Sequence, residues 1–189
     1  MSYNNNPSLY NLSIYNDNFN TLIHDYDFSD GGGTPLTDQV GSNDGTINGA
    51  TWNAEGITVP RIYLGETLVY GSPPPINYLS FDGIDDYVDI PFSNDFPSGN
   101  DQMTMEITFE TQELTGYTVF DYGSSTNRIT LFETLTTGEL SLGYAGVRYD
   151  LNFTPNLNQI YTFKLIVPVN ATTTNDVEYY IDDVRIYPI

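Results

Sequence analysis

The sequence predicts one all-β domain built from antiparallel strands. The 189 residues include 16 Tyr and 10 Phe, residue types that suit the half-buried surface of a sheet. Apolar and polar residues alternate with a period of two in several stretches, whereas no window keeps a helical period. The chain is long enough to bury a sizeable core in a single large domain; two small domains are the alternative.

The chain is strongly acidic, with 25 Asp and Glu against five Lys and Arg and a formal net charge of −20. Such a surface repels phosphate backbones and anionic membranes, so we expect neither a nucleic acid nor a membrane as partner. It suits cations, neutral glycans or a basic protein. A charge that only keeps the protein soluble is the alternative interpretation.

Cellular location is constrained by what the sequence lacks. There is no cysteine, so disulfides and thiolate metal sites are excluded. No apolar run approaches the ~20 residues that span a bilayer. The N-terminal residues show neither the basic region nor the apolar stretch of a secretory signal. We therefore expect a protein that stays in the cytoplasm, or one that leaves by assembly into a virus particle and lysis.

Residues 1–24 are predicted to form an extended arm that precedes the domain. Residues 1–22 are rich in Asn, Ser and Tyr and show little apolar periodicity; an edge strand or a disordered tail are the alternatives. Such a segment can order on a partner by adding a strand to an exposed sheet edge. The predicted partner-binding residues are Tyr3, Tyr10, Ile14, Tyr15 and Phe19.

Two segments before residue 92 predict strand pairs. Residues 57–71 favour a compact hairpin with its turn at Gly65 and Glu66. Residues 78–91 alternate in two phases that are separated by the polar residues 82–86. Because Gly and Asp tolerate unusual backbone angles, this pattern predicts two strands around a tight acidic turn.

From residue 101 onward the pattern is strand after strand. Three rows of alternating apolar residues predict strands with one buried face. The rows are Met103, Met105, Ile107 and Phe109, then Val147, Tyr149, Leu151 and Phe153, then Tyr161, Phe163, Leu165 and Val167. Turns are predicted at residues 137–139 and 170–176, and residues 179–187 are predicted to be the final strand.

Three segments of the chain resemble one known family. Residues 79–88 resemble the L-x-F-D-G-x-D-D-Y-V segment of laminin-G-like, concanavalin A-type jelly rolls. Residues 26–52 are similar to the opening pattern of that family, and residues 179–187 resemble its final strand. The resemblance implies an antiparallel β-sandwich jelly roll over residues 25–189, interrupted by the inserted hairpin at 57–71.

A second resemblance concerns function. Residues 62–70 resemble a short I-Y-L-G-x-T-x-V-Y motif of tailed-phage structural proteins. It implies a non-enzymatic structural or adhesive virion protein, such as a capsid decoration, head-fibre or tail accessory protein assembled in the host cytoplasm. The expected partners are other virion proteins, copies of itself or a cell-surface glycan. A carbohydrate-binding module or adhesin is the alternative, and a degenerate glycoside hydrolase is a weaker one.

Enzymatic activity is not expected. Glu106 and Glu110 nearly match the acidic motif of laminarinase-type β-glucanases, but Thr108 replaces its central Asp. Four residues of strand place the two glutamates ~13 Å apart along the backbone, whereas retaining hydrolysis needs carboxyl groups about 5 Å apart. His24 is the only histidine, and no G-x-S-x-G pattern supports a nucleophile triad.

Calcium is the one cofactor that the sequence suggests. Residues 38–45 form a Gly, Asn and Asp loop of the kind that supplies oxygen ligands to a hard cation. By the family resemblance, the ligands would be Asp38, the carbonyls of Gly41 and Asn43, and Asp182 or Asp183 opposite. Local turns made by the Asn and Asp side chains are the alternative.

A sugar site is the remaining hypothesis, because lectins stack sugars on aromatic side chains. The tyrosines that could serve are Tyr117, Tyr122, Tyr144 and Tyr149. Tyrosines spread over strands are more often half-buried partners of the core, and that alternative stays open.

Overall fold

The computed structural model describes residues 7–16, 21–28, 31–55, 62–64, 67–70, 76–82, 86–91, 102–111, 116, 118–124, 127–133, 137–144, 147–169 and 177–186. These residues form strands and no helix, which confirms the all-β prediction. None of them belongs to a helix with the length and apolar character needed to cross a bilayer. The strands are β1 (Pro7–Asn16), β2 (Thr21–Asp27), β3 (Pro35–Leu36), β4 (Gly45–Asn48), β5 (Thr51–Glu55), β6 (Ile62–Leu64), β7 (Thr67–Tyr70), β8 (Ile76–Ser80), β9 (Tyr87–Asp89), β10 (Met103–Thr111), β11 (Thr118–Ser124), β12 (Asn127–Glu133), β13 (Leu140–Tyr144), β14 (Val147–Asp150), β15 (Ile160–Val167), β16 (Glu178–Ile181) and β17 (Val184–Ile186).

The largest sheet has eight strands, and β1 lies near its centre. The order is β17-β16-β15-β10-β1-β8-β5, with β2 also paired to β1. β1 runs antiparallel to β10 from Pro7, opposite Thr111, to Asn16, opposite Met103. Its other edge is shared by β8 and β2. β1, the first strand of the described residues, therefore pairs with three strands in the middle of the main sheet.

This position corrects the predicted arm. Ile14 is only 2% exposed and packs in the core together with Leu12. The predicted boundary between residues 24 and 25 also falls inside β2, so it does not separate an arm from a domain. A strand needs apolar residues on one face only, which is why a segment poor in apolar residues can still be central. Residues 1–6 and 17–20 lie outside the described residues.

A single core joins the main sheet to the four-stranded and the three-stranded sheet. The smaller sheets have the orders β11-β12-β13-β14, β3-β4-β9 and β6-β7. Phe163 of the main sheet, Leu142 of the four-stranded sheet and Leu36 of the three-stranded sheet belong to the same buried cluster. A core shared between facing sheets is the architecture of a β-sandwich. The apolar rows at 103–109 and 161–167 are buried as predicted.

Residues 78–91 form the two predicted strands, but the strands do not pair with each other. β8 pairs with β1 and β5 in the main sheet, whereas β9 pairs with β4 in the three-stranded sheet. The acidic segment between them is therefore a crossover from one sheet to another. Asp86 Oδ2 accepts the backbone N–H of Asp82 at 2.7 Å and so ties the two ends of the crossover together.

The predicted final strand is instead the hairpin β16–β17. Asp182 and Asp183 form its turn with φ angles of 49° and 63°. Two adjacent residues at positive φ give the turn that matches the twist of a tight hairpin, and Asp tolerates this conformation better than most residues. Within the segment predicted as an inserted hairpin, β6 and β7 pair antiparallel; Gly65 and Glu66 lie outside the described residues.

Candidate functional site

Asp38 is the anchor of the loop between β3 and β4, where calcium was predicted. Its side chain is buried, and its carboxylate accepts five hydrogen bonds. The donors are His24 Nδ1 at 2.7 Å and the backbone N–H groups of Asp25 at 3.1 Å, Val40 at 3.2 Å, Gly41 at 3.0 Å and Asn43 at 3.2 Å. The carboxylate therefore binds the protein's own donors on both of its oxygens.

These hydrogen bonds keep Asp38 ionised. Burial raises the pKa of the Asp38 carboxyl, but hydrogen bonds from His24 and from backbone N–H groups lower it more, to about 2. Because the carboxylate carries no hydrogen, His24 Nδ1 must donate. Burial, followed by the nearby charge of Asp38, raises the pKa of Tyr26, whose hydroxyl donates to the Asn43 carbonyl at 2.8 Å.

The His24–Asp38 pair has the chemistry of a general base with its orienting carboxylate, but not the access. His24 is 1% exposed and Asp38 is 5% exposed. The ring of His24 also stacks against that of Tyr26, with the centroids 6.3 Å apart. A pair that is buried in this way holds the loop in place.

The predicted calcium ligands are not brought together, so that site is wrong as a single set. Asp182 and Asp183 lie at the β16–β17 turn, at the opposite edge of the main sheet from Asp38. The row of paired residues that crosses the sheet between them is Ile181, Phe163, Ile107, Leu12, Tyr26 and Asp38. Five steps of about 4.8 Å separate its ends by roughly 24 Å, whereas calcium ligands lie about 2.4 Å from one ion.

An open groove on the outer face of the main sheet contains Asp182 and Asp183 instead. Its lining is Glu106, Thr162, Lys164, Asp182 and Asp183. Lys164 Nζ lies 2.6 Å from Asp183 Oδ1 and 3.3 Å from Glu106 Oε2. Burial lowers the pKa of the Lys164 ammonium, but the two carboxylates raise it more, so Lys164 stays charged. The groove is thus a polar, net acidic surface with one ammonium and three carboxylates.

The two glutamates of the glucanase hypothesis have different environments. Glu106 forms the ion pair with Lys164, whereas Glu110 is buried and accepts the Tyr10 hydroxyl at 2.6 Å. Thr108 between them bonds the hydroxyl of Thr162 at 3.0 Å. Each side chain is therefore used in joining β10 to a neighbouring strand.

Two of the three predicted partner-binding residues that the structure describes are buried. Tyr10 is 7% exposed and Ile14 lies in the core, so the prediction is wrong for these two. Tyr15 is half-buried on β1. Tyr3 and Phe19 lie outside the described residues.

Of the predicted sugar-stacking tyrosines, the structure describes the side chain of Tyr149 alone. Tyr149 is half-buried and pairs with the fully buried Leu142, which places it on the core side of the four-stranded sheet. Tyr122 and Tyr144 lie in β11 and β13, and Tyr117 is outside the described residues.

Sequence reasoning missed Lys164, the residue at the centre of the groove. It is the only lysine of the chain, and it occupies an outward position between Phe163 and Leu165. That position was readable from the alternation. Its acidic neighbours were not, because they belong to β10 and to the β16–β17 turn.

Comparison of the chain with protein-family models, curated proteins and solved structures found no significant match.

Proposed function

We propose that the protein is a non-enzymatic structural and adhesive component of a tailed-phage virion that uses a lectin-like jelly roll for contact with protein or glycan. The non-enzymatic part rests on one observation: the candidate catalytic side chains are bonded to other residues of the protein. His24 is bound to Asp38 in the interior, Glu110 is bound to Tyr10, and Glu106 is paired with Lys164. Each of these groups holds strands or loops together.

The strands at the sheet edges support a role in assembly. In the described pairing, β5 and β17 each have one neighbour in the main sheet, and β11 and β14 each have one in the four-stranded sheet. An outer strand offers backbone N–H and C=O groups to a strand from another chain. These edges replace the N-terminal segment as the proposed contact with neighbouring virion proteins.

The hairpin β6–β7 is the basis for the proposed location in a virion. It carries the phage-like motif at residues 62–70, and its two strands form a sheet of their own. A hairpin outside the main sheet can bind a partner without disturbing the order of the larger sheets. We therefore assign it the contact that attaches the protein to the particle.

An add-back experiment tests this proposal. Particles from a mutant phage that lacks the gene are mixed with purified protein and separated by sedimentation. The full chain should co-sediment with the particles, and a chain in which residues 62–70 are replaced by a short Gly-Ser linker should stay in the supernatant. Failure of the folded full chain to bind would contradict the proposal.

A carbohydrate-binding module is the second candidate, and the groove around Lys164 favours it. Carboxylates and hydroxyls on a rigid sheet face suit the hydroxyl groups of a sugar. Under this alternative the purified protein binds a polysaccharide but does not sediment with particles.

A further inference from the structure

The three-stranded sheet β3-β4-β9 presents an outward face with an exposed aromatic ring. Its inner face carries Leu36, Ile47 and Val88, which pack against the core. The opposite side chains point away from the core because strand residues alternate between faces. This outward face consists of Pro35, Thr46, Asn48, Tyr87 and Asp89.

Cross-strand register brings the polar groups of this face around Tyr87. Asn48 lies directly opposite Tyr87, and Thr46 lies directly opposite Asp89. Opposed residues have Cβ atoms about 5 Å apart, and residues two apart on one strand are about 7 Å apart. An aromatic ring, an amide, a hydroxyl and a carboxylate therefore share a patch on the scale of one sugar ring.

The side chains of this patch are available to a ligand. Tyr87 is 55% exposed. Within the described part of the chain, neither the Tyr87 hydroxyl nor the Asp89 carboxylate has a hydrogen-bond or ion-pair partner. Asn48 Nδ2 donates to the Thr46 carbonyl at 3.2 Å, which orients its amide. The patch thus differs from the groove around Lys164, where the ammonium is already bound by two carboxylates.

The position of this patch is set by the backbone around it. Gly49 follows β4 at a φ of 80°, a conformation that favours glycine, and the Asp86 side chain lies where a Cβ atom would be. The turn after β4 and the residue before β9 are therefore packed against each other. Little ordering is needed when a ligand binds to such a surface.

Size and charge decide between classes of ligand. One exposed Tyr with four small neighbours is far below the roughly 800 Å² per partner of a standard protein interface. The net charge of −20 and the Asp89 carboxylate disfavour anionic ligands. A neutral sugar can stack its C–H face on the aromatic ring and donate its hydroxyls to the carboxylate and amide oxygens.

Building on the adhesive part of the proposed function, we propose that the face formed by Tyr87, Asn48, Asp89 and Thr46 binds a neutral pyranose unit of a cell-surface glycan. A single patch of this size binds weakly. Many copies on one particle would bind a glycan surface tightly through avidity.

Purified full-length protein is tested on an array of neutral hexose, N-acetylhexosamine, sialylated and sulfated glycans, and each bound glycan is then titrated by NMR. We expect binding to neutral glycans, a loss of about tenfold or more in Tyr87→Ala and in Asp89→Ala, and retention in Tyr87→Phe. Leu157→Ala, at a residue 46% exposed between β14 and β15, is the matched control and should bind as the native chain does. Thermal melts establish that each variant is folded.

Absence of glycan binding by the native chain would overturn the proposal, as would unchanged binding in folded Tyr87→Ala or a preference for sialylated or sulfated glycans. The array uses purified protein, so it is independent of particle attachment. Failure to sediment with particles would count against the virion proposal alone, and failure on the array against this face alone.

Discussion

His24 Nδ1 lies 2.7 Å from Asp38 Oδ2, and this buried pair fastens the loop after β3 to strand β2 of the main sheet. The same loop also contacts the segment that follows β9, because Asn43 Nδ2 donates a hydrogen bond to the Pro91 carbonyl at 2.6 Å. The loop thus joins the main sheet to the three-stranded sheet that carries Tyr87. A loop predicted to hold calcium is held by a carboxylate that accepts hydrogen bonds from the protein.

Asp38→Asn should destabilise the protein by about 3 kcal/mol at neutral pH. The amide keeps the shape of the side chain, but it loses the negative charge and places an NH₂ group against backbone N–H donors. Urea unfolding measures the change. Asp89→Asn, an exposed carboxylate with no partner in the described part of the chain, is the matched control and should lie within about 0.5 kcal/mol of the native chain.

Acid should remove the contribution of Asp38 in a defined pH window. The pKa of this carboxyl falls from its ordinary value of 3.8 to about 2 in the folded state. A lowered pKa stabilises the fold at pH values above the unfolded value, and the stabilisation disappears as the pH falls through the folded value. About 2 kcal/mol should therefore be lost between about pH 4 and pH 2. Unfolding free energies measured across this range in the native chain and in Asp38→Asn test the assignment; parallel profiles would refute it.

Ile14→Ala tests the central position of β1. Removing a fully buried side chain leaves a cavity, so we expect a loss of about 2–5 kcal/mol in the free energy of unfolding. Ile160→Ala makes the same change at a partly exposed strand end and should cost less than about 1.5 kcal/mol. If residues 7–16 were an arm outside the fold, Ile14→Ala would cost no more stability than Ile160→Ala.

Alternation in the sequence predicted the strands well, but it did not predict which strands lie beside each other in a sheet. The rows at 103–109 and 161–167 are buried because each contains enough apolar residues to define a face by itself. β1 has a weaker pattern, and its burial depends on β10 and β2, which the sequence does not place beside it. The same limit applies to Lys164 and to Tyr87, whose surroundings are assembled across strands from distant parts of the chain. Pairing between strands distant in sequence leaves no periodic signal, so the sites could not be predicted as the strands were.

Glu110→Ala and Glu106→Ala should change stability to different extents. Glu110 is buried and accepts the Tyr10 hydroxyl, so its removal deletes a buried hydrogen bond to a charged group and should cost about 2–3 kcal/mol. Glu106 forms a partly exposed ion pair with Lys164, which should contribute less than about 1 kcal/mol.

We expect no turnover of β-1,3 or β-1,4 glucans by the native chain between about pH 4 and 8. Turnover that disappears in Glu106→Gln or Glu110→Gln would show that the glutamates are catalytic.

Mass spectrometry of purified phage particles is the most direct test of the virion assignment. Particles purified by density gradient and treated with protease inhibitors should contain the native chain at a fixed molar ratio to the major capsid protein. The copy number should stay constant across gradient fractions that contain intact particles, because an assembled component keeps a symmetric stoichiometry. Absence of the chain from intact, infectious particles, with the protein found only in the soluble lysate, would contradict the assignment.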